Sequence, residues 1–279
     1  MKRIGDGLKN KVIVITGAGG IICGKLAKEL ALYGAKIALL DLNGKSAEKV
    51  AQEIVENGGV AKGYTANVLE KESLERARQL INTDLGKCDI LINGAGGNNP
   101  RATTDNEYHH EKREGQKDFF NLDAEGVKFV FELNFLGTFL PTQVFVGDML
   151  GKKGCSVLNI SSMNAFTPLT KIPAYSGAKA GISNFTQWLS THFAQSNIRV
   201  NAIAPGFFVT HQNRALLFDE NGNPTPRTHK ILNATPMQRF GEIDELVGAT
   251  VFLLDEDFAS FVTGVVLPID GGFSAYSGV

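Results

Sequence analysis

Cysteine is scarce in this chain: Cys23, Cys88 and Cys155 are the only three among 279 residues, and no two stand at metal-ligand spacing. That excludes a disulfide-stapled scaffold and a thiolate metal site, and it puts the expected address in the cytoplasm, where thiols stay reduced. An excess of charge of either sign is also missing. The 28 Lys and Arg residues nearly balance 29 Asp and Glu, for a net charge of −1. Neither nucleic acid nor an anionic membrane is therefore an expected partner. The N-terminus has no signal-peptide apolar region, because Val12 to Thr16 runs straight into glycines, and no apolar run approaches bilayer length. Repeats, low-complexity tracts and linkers are absent. His109-His110 has no third ligand in view, so no metal is expected.

What the chain does have is alternation. Short runs at Lys11–Thr16, Lys36–Asp41, Ala61–Thr65, Ile90–Asn93, Ser156–Ser161, Ile198–Ala204 and Val265–Ile269 read as strands, and most are continuous Val/Ile/Leu runs rather than alternating ones, as expected where both sheet faces are covered. Helical patterns separate them at Gly24–Tyr33, Ser46–Asn57, Lys71–Leu85, about Val127–Met149, Tyr175–Gln195 and Glu242–Leu254. The series predicts an α/β fold with a single doubly wound, Rossmann-type parallel sheet of about seven strands, helices on both faces, and one domain over 1–279. Two polar or turn-rich segments, about 97–126 and 207–236, follow strand ends and are long for loops. Open α/β sheets bind ligands at that rim, so both are expected to wall a substrate site.

Thr16-Gly17-Ala18-Gly19-Gly20-Ile21-Ile22-Cys23-Gly24 lies between the first strand and the first helix. Glycines there let backbone approach a pyrophosphate at a helix N-terminus. Asp41 closes the next strand, followed by Leu42. A carboxylate in that place accepts hydrogen bonds from a ribose 2′-hydroxyl and repels a 2′-phosphate, which favours NAD over NADP.

Tyr175 and Lys179 stand four apart in an alanine-rich helical run and share a helix face. A nearby ammonium favours the phenolate, and is expected to lower the tyrosine pKa toward the range of efficient acid–base catalysis. Ser162 ends the buried-looking strand before them and can bond the same oxygen.

Together these residues resemble the short-chain dehydrogenase/reductase family over almost the whole chain. The glycine turn, Asn67-Val68, Asn93-Gly94-Ala95-Gly96, Asn134, Ser162, Tyr175, Lys179, Pro205-Gly206 with Thr210, and Asp270-Gly271-Gly272 carry the resemblance in order. It implies that Tyr175 is the acid–base, Ser162 holds the substrate oxygen, Lys179 tunes the tyrosine and binds the nicotinamide ribose, and Asn134 anchors a water leading to solvent. By the same resemblance Gly17, Gly19, Gly20, Ile21 and Ile22 approach the phosphates, and Asp41 and Leu42 the adenosine ribose. Asn67 and Val68 flank the adenine, Asn93, Ala95 and Gly96 line the cofactor's middle, and Pro205, Gly206, Phe208 and Thr210 hold the carboxamide side. A homotetramer is implied as well, with helices 127–149 and 175–195 as interface elements.

The chain departs from the family pattern with Ile21 and Cys23 in place of glycines, Asn67 for the commoner Asp, Asn93-Gly94 for Asn-Asn, and a longer polar stretch after Gly97. These same runs, with Ser162-Met163-Asn164-Ala165-Phe166 and the terminal Tyr276-Ser277-Gly278-Val279, resemble the subgroup described as D-mannonate oxidoreductase, or fructuronate reductase. A sugar acid needs a cation and several hydroxyl partners, for which Arg101, Asn164, Gln212 and Arg214 are the candidates, Arg101 first for the carboxylate. Two alternatives stay open. One is a related sugar-acid or polyol dehydrogenase such as gluconate 5-dehydrogenase. The other is an NAD-sensing binding protein, which has no need of the full set Asn134, Ser162, Tyr175 and Lys179.

Overall fold

The computed structural model describes residues 2–109, 115–210 and 214–278. Its strands are β1 (Val12–Thr16), β2 (Lys36–Asp41), β3 (Val60–Thr65), β4 (Ile90–Asn93), β5 (Cys155–Ile160), β6 (Ile198–Pro205) and β7 (Val266–Ile269). They form one sheet in the order β3-β2-β1-β4-β5-β6-β7, every neighbouring pair parallel. The α/β expectation and its strand count hold.

The helices are α1 (Ile21–Leu32), α2 (Gly44–Glu56), α3 (Lys71–Asp84), α4 (Ala124–Phe131), α5 (Gly137–Phe145), α6 (Pro173–His192), α7 (Arg214–Leu217), α8 (Pro226–Asn233), α9 (Glu245–Leu254) and α10 (Glu256–Ala259). Strand side chains alternate between two cores. Ile13, Ile15, Ile37 and Leu39 pack with α1, α2 and α9, while Val12, Val14, Ala38 and Leu40 pack with α3, α5 and α6. Burial on both faces explains why the five inner strands read as largely apolar runs, while the edge strands β3 and β7 are only partly covered. The chain reverses direction of travel across the sheet between β1 and β4, which opens the ligand crevice at their C-terminal ends.

Most element ends shift by a few residues from the sequence reading, and three departures bear on the site or its helices. First, α1 begins at Ile21 rather than Gly24, because Ile21 and Cys23, which stand where the family pattern has glycines, are both better helix formers than glycine. Second, the long helix is interrupted by a π turn at Glu132–Leu136 between α4 and α5. Third, the span Ala124–Asp148 is long and apolar enough to cross a membrane by length and composition, with half of its apolar window buried in the fold. This corrects the expectation that no segment reaches that length. Its Val130, Asn134, Thr138, Val144 and Phe145 are buried.

An ion pair joins the two walls, Lys230 on α8 to Glu107 at 2.7 Å. The first wall is also held to the segment before α6, where Thr104 N–H donates to the Lys171 carbonyl at 2.9 Å and Lys171 Nζ donates to the Asp105 carbonyl at 2.6 Å. His109 is an exposed loop histidine that pairs with Asp118 and meets the Phe120 ring edge-on at 5.5 Å. His110 lies outside the described residues. No metal-ligand cluster is found among the described residues.

Candidate active site

At the end of β1, Thr16 Oγ1 accepts from the backbone N–H groups of Gly94 and Ala95 at 3.1 and 3.3 Å, which binds the glycine turn to the end of β4. Gly20 N–H donates to the Gly17 carbonyl at 3.1 Å, closing the turn. Gly20 is then the N-cap of α1, with no side chain supplying a cap. The first helical amides, at Ile21, Ile22 and Cys23, are those a helix leaves without internal partners, so this end is suited to an anion. Asp41 sits beside it. Its carboxylate accepts from Gly19 N–H at 3.0 Å and from Asn43 N–H at 2.9 Å, which aims the group across the turn and leaves lone pairs for hydroxyl donors.

The structure also relates two departures from the family pattern that the sequence shows only separately. The Cys23 side chain is buried against Gly94, where an added Cβ would lie 2.1 Å from Cys23 Sγ. The thiol occupies the room that a side chain at 94 would take. Burial pushes its pKa up to about 12, only partly opposed by the Lys179 charge.

The catalytic candidates converge at the same rim. Asn134, fully buried in the π turn, donates from Nδ2 to the carbonyls of Gly97 and Val130 at 2.7 and 2.8 Å and accepts from Gly97 N–H at 3.2 Å. It therefore pins the start of the first wall. Single-turn π bulges recur at functional sites because they turn backbone groups out of the regular ladder. Lys179 is 4% exposed and donates from Nζ to the Ile160 carbonyl at 2.8 Å. A Cβ on Gly96 would fall within 3.3 Å of Lys179 Nζ and 2.7 Å of Asn134 Oδ1, so glycine there keeps this corner open. Lys179 Nζ lies 5.6 Å from the Tyr175 ring centre. Ser161, to which the sequence reading gave no role, steadies the lysine's helix through bonds from its Oγ to the Lys179 carbonyl and to Ser183 Oγ.

The electrostatics correct one expectation. Burial pushes the Tyr175 phenol above its usual value, and the Ser162 hydroxyl partly opposes this. Burial also pushes Lys179 down, to about 8. The predicted lowering of the tyrosine by the lysine is not seen: loss of water governs the phenol, and only the Ser162 bond opposes it.

Other candidates fall as follows. Asn93 turns its side chain inward, donating to Thr142 Oγ1 and Asn159 Oδ1 at 2.9 Å each. Only its backbone faces the cofactor rim, a direction that sequence cannot reveal. Asn67 is held in a local turn by Leu69 N–H and bonds Glu70 Oε1 at 2.9 Å. Val68 packs against the space at Gly137, and Leu42 is exposed. Pro205 ends β6, and Gly206 N–H donates to the Ile269 carbonyl. Phe208 is buried and bridges to Gly241, and Thr210 accepts through its carbonyl from Arg214 N–H at 3.0 Å. Arg101 pairs with Asp123 at 2.9 Å. Arg214 lies 5.3 Å over the Phe218 ring and has no carboxylate partner among the described residues, while Gln212 lies outside them. Asn164 is buried next to Ser162. A cavity of about 390 Å³ beside Phe207 and Phe208 is lined by none of the catalytic candidates.

The sequence model of the short chain dehydrogenase family matches residues 11–221. The chain belongs to this family. It is 65% identical over 273 residues to an uncharacterized oxidoreductase of Haemophilus influenzae, covering 98% of this chain and 96% of that one. A crystal structure from the same organism, of a candidate D-mannonate oxidoreductase with bound NAD, superposes with a TM-score of 0.96 at 64% identity, covering 99% of this chain and 100% of the other. The 5-keto-D-gluconate 5-reductase of Escherichia coli K12 is 32% identical over 265 residues, 95% of this chain and 96% of that enzyme. Membership of the family makes this chain an oxidoreductase with the short-chain dehydrogenase fold.

Proposed function

We propose that this dehydrogenase interconverts D-fructuronate and D-mannonate with NAD as its cofactor, as a cytoplasmic homotetramer. The observation that carries the reading is the gathering of Ser162, Tyr175 and Lys179 at the same sheet rim as the α1 N-terminus and Asp41. The likeness to the H. influenzae structure supports the choice of sugar acid and of NAD. The residues present suit the cofactor. The α1 amides offer an anion site, the Gly96 corner leaves space beside Lys179, and the Asp41 carboxylate suits a free ribose hydroxyl and repels a phosphate. Gly17 to Ile22 and Asp41 would hold the phosphates and ribose, with Lys179 at the nicotinamide ribose. When bound, the cofactor supplies or accepts the hydride.

In the reductive direction Ser162 holds the keto oxygen by donating a hydrogen bond. As the carbon gains hydride and its π bond to oxygen breaks, Tyr175 passes its hydroxyl proton to that oxygen. The phenolate left behind is stabilised by Lys179, which burial holds near the pH at which it can pass a proton onward. Oxidation reverses each move. Arg214 is favoured over Arg101 for the substrate carboxylate, since Arg101 already has Asp123. The outward faces of the long helix and α6 expose Phe129, Phe131, Leu136 and Trp188, which suits them to subunit contact.

A spectrophotometric screen of hexuronates and aldonates with both nicotinamides tests the reading. D-Fructuronate with NADH is expected to be the best reductive pair. Activity on 5-ketogluconate without activity on fructuronate would select the gluconate 5-dehydrogenase alternative, which the E. coli relative supports. Tyr175→Phe is expected to lose roughly 10²- to 10⁴-fold in kcat while NADH still binds. Near-normal turnover would remove Tyr175 from its role.

A further inference from the structure

Three contacts around Asn164 have only one sensible direction each. The backbone N–H of Leu169 can only donate, and it reaches Asn164 Oδ1 at 3.3 Å, which settles the two ends of the amide. The amide nitrogen, again only a donor, then faces Ser162 Oγ at 3.3 Å. The backbone N–H of Asn164 reaches that same oxygen at 3.2 Å. A serine hydroxyl has two lone pairs and one proton. Both lone pairs are filled by Asn164, so the proton must point elsewhere, and the group beyond it is the Tyr175 phenol.

We propose that Asn164, expected from sequence to contact substrate, is instead a positioning residue that commits Ser162 to donating its proton toward the reacting oxygen. The inference rests on the roles proposed above for Ser162 and Tyr175, and not on the identity of the sugar acid. Its chemical consequence is a one-way route. Ser162 polarises a keto oxygen by donating to it but has no lone pair free to accept an alcohol proton, so in oxidation that proton has Tyr175 as its acceptor. Asn164 is 6% exposed, so water does not compete for these bonds.

Asn164→Asp separates the parts of this device. A carboxylate oxygen still accepts from Leu169 N–H, but nothing donates from the side chain to Ser162, whose proton then turns toward the new carboxylate. Asn164→Ala removes the side-chain donor without adding charge, and carries the same test should the aspartate variant fail to fold. Both are measured with Ser162 present and with Ser162→Ala, using D-fructuronate, or 5-ketogluconate if that is the substrate turned over. The Tyr175 phenol is also titrated without substrate by ultraviolet difference against Tyr175→Phe. That phenol is faced by Ser162 from the β5 end and Lys179 from α6, with Cys23 of α1 beyond the lysine.

The expected result is a loss in kcat on the order of tenfold with KM within about twofold, and an upward displacement of the phenol titration. With Ser162→Ala in place, Asn164→Ala should change kcat by less than about twofold and leave the phenol where it was. A rise in KM at unchanged kcat would mean direct substrate contact, and equal losses with and without Ser162 would mean action by another route. Either outcome overturns the proposal. An enzyme inactive on every sugar acid would sink the substrate assignment while the phenol titration still decides the role of Asn164.

Discussion

Lys179 combines a catalytic position with a stability cost. It is 4% exposed and has one hydrogen bond from its ammonium, to the Ile160 carbonyl, and burial lowers its pKa from 10.5 to about 8. Below about 8 the ammonium is charged in both the folded and the unfolded chain, and the full penalty of burying it is present. As pH rises through that value the folded protein sheds the proton while the unfolded chain keeps it, so this group makes stability increase with pH. Tyr175, whose folded pKa is raised, acts in the opposite sense above its ordinary 10 and closes the window from above. Lys179→Met is expected to abolish turnover yet raise the urea midpoint at pH 7, by an amount equivalent to roughly 1–3 kcal/mol. Between about pH 8 and 10 the wild type should gain stability and the variant should not. Parallel stability profiles for the two proteins would show that Lys179 is not the titrating group.

At the scale of elements, the turn between β1 and α1 and the end of β4 act as one piece, because Cys23 fills the space above Gly94. Gly94→Ala should overpack this contact, costing about 1–3 kcal/mol and weakening NADH binding measured by fluorescence. Combining it with Cys23→Gly should recover most of both losses, and simple addition of the two effects would show the positions to be independent. The sheet itself was legible from residues such as Ile13, Leu39 and Ile92, since strands covered on both faces need apolar side chains at every position. The clustering of Asn134, Tyr175 and Lys179 was legible only through family likeness, because residues 134 and 175 meet through tertiary packing that no local spacing encodes. The π turn was not foreseen. It arises where Asn134 bonds across to Gly97 and where Thr138 and Thr142 turn their hydroxyls back onto the carbonyls four residues earlier. The inward turn of Asn93 was hidden too, because a polar residue at a strand end can satisfy itself on either side.

Considered whole, the molecule joins its two walls through an exposed ion pair. The Lys230–Glu107 pair holds Glu107 below the usual carboxylate range and is worth less than about 1 kcal/mol to folding. Glu107→Gln should therefore leave the thermal midpoint nearly unchanged while raising substrate KM several-fold. Moderate salt should raise KM in the wild type and have little effect in the variant, and identical salt responses would separate the pair from substrate binding. The parallel sheet has a consequence of a different kind. Its middle seam joins β1 to β4, Ile13 opposite Ile90, and β4's other neighbour is β5, Ile90 opposite Ser156. During synthesis the first three strands leave the ribosome well before the partners that shield their inner flank. Seams between such distant segments form slowly, so a half-made chain presents a sticky unpaired edge. Translation pauses or truncations between β3 and β5 should therefore favour aggregates over soluble fragments.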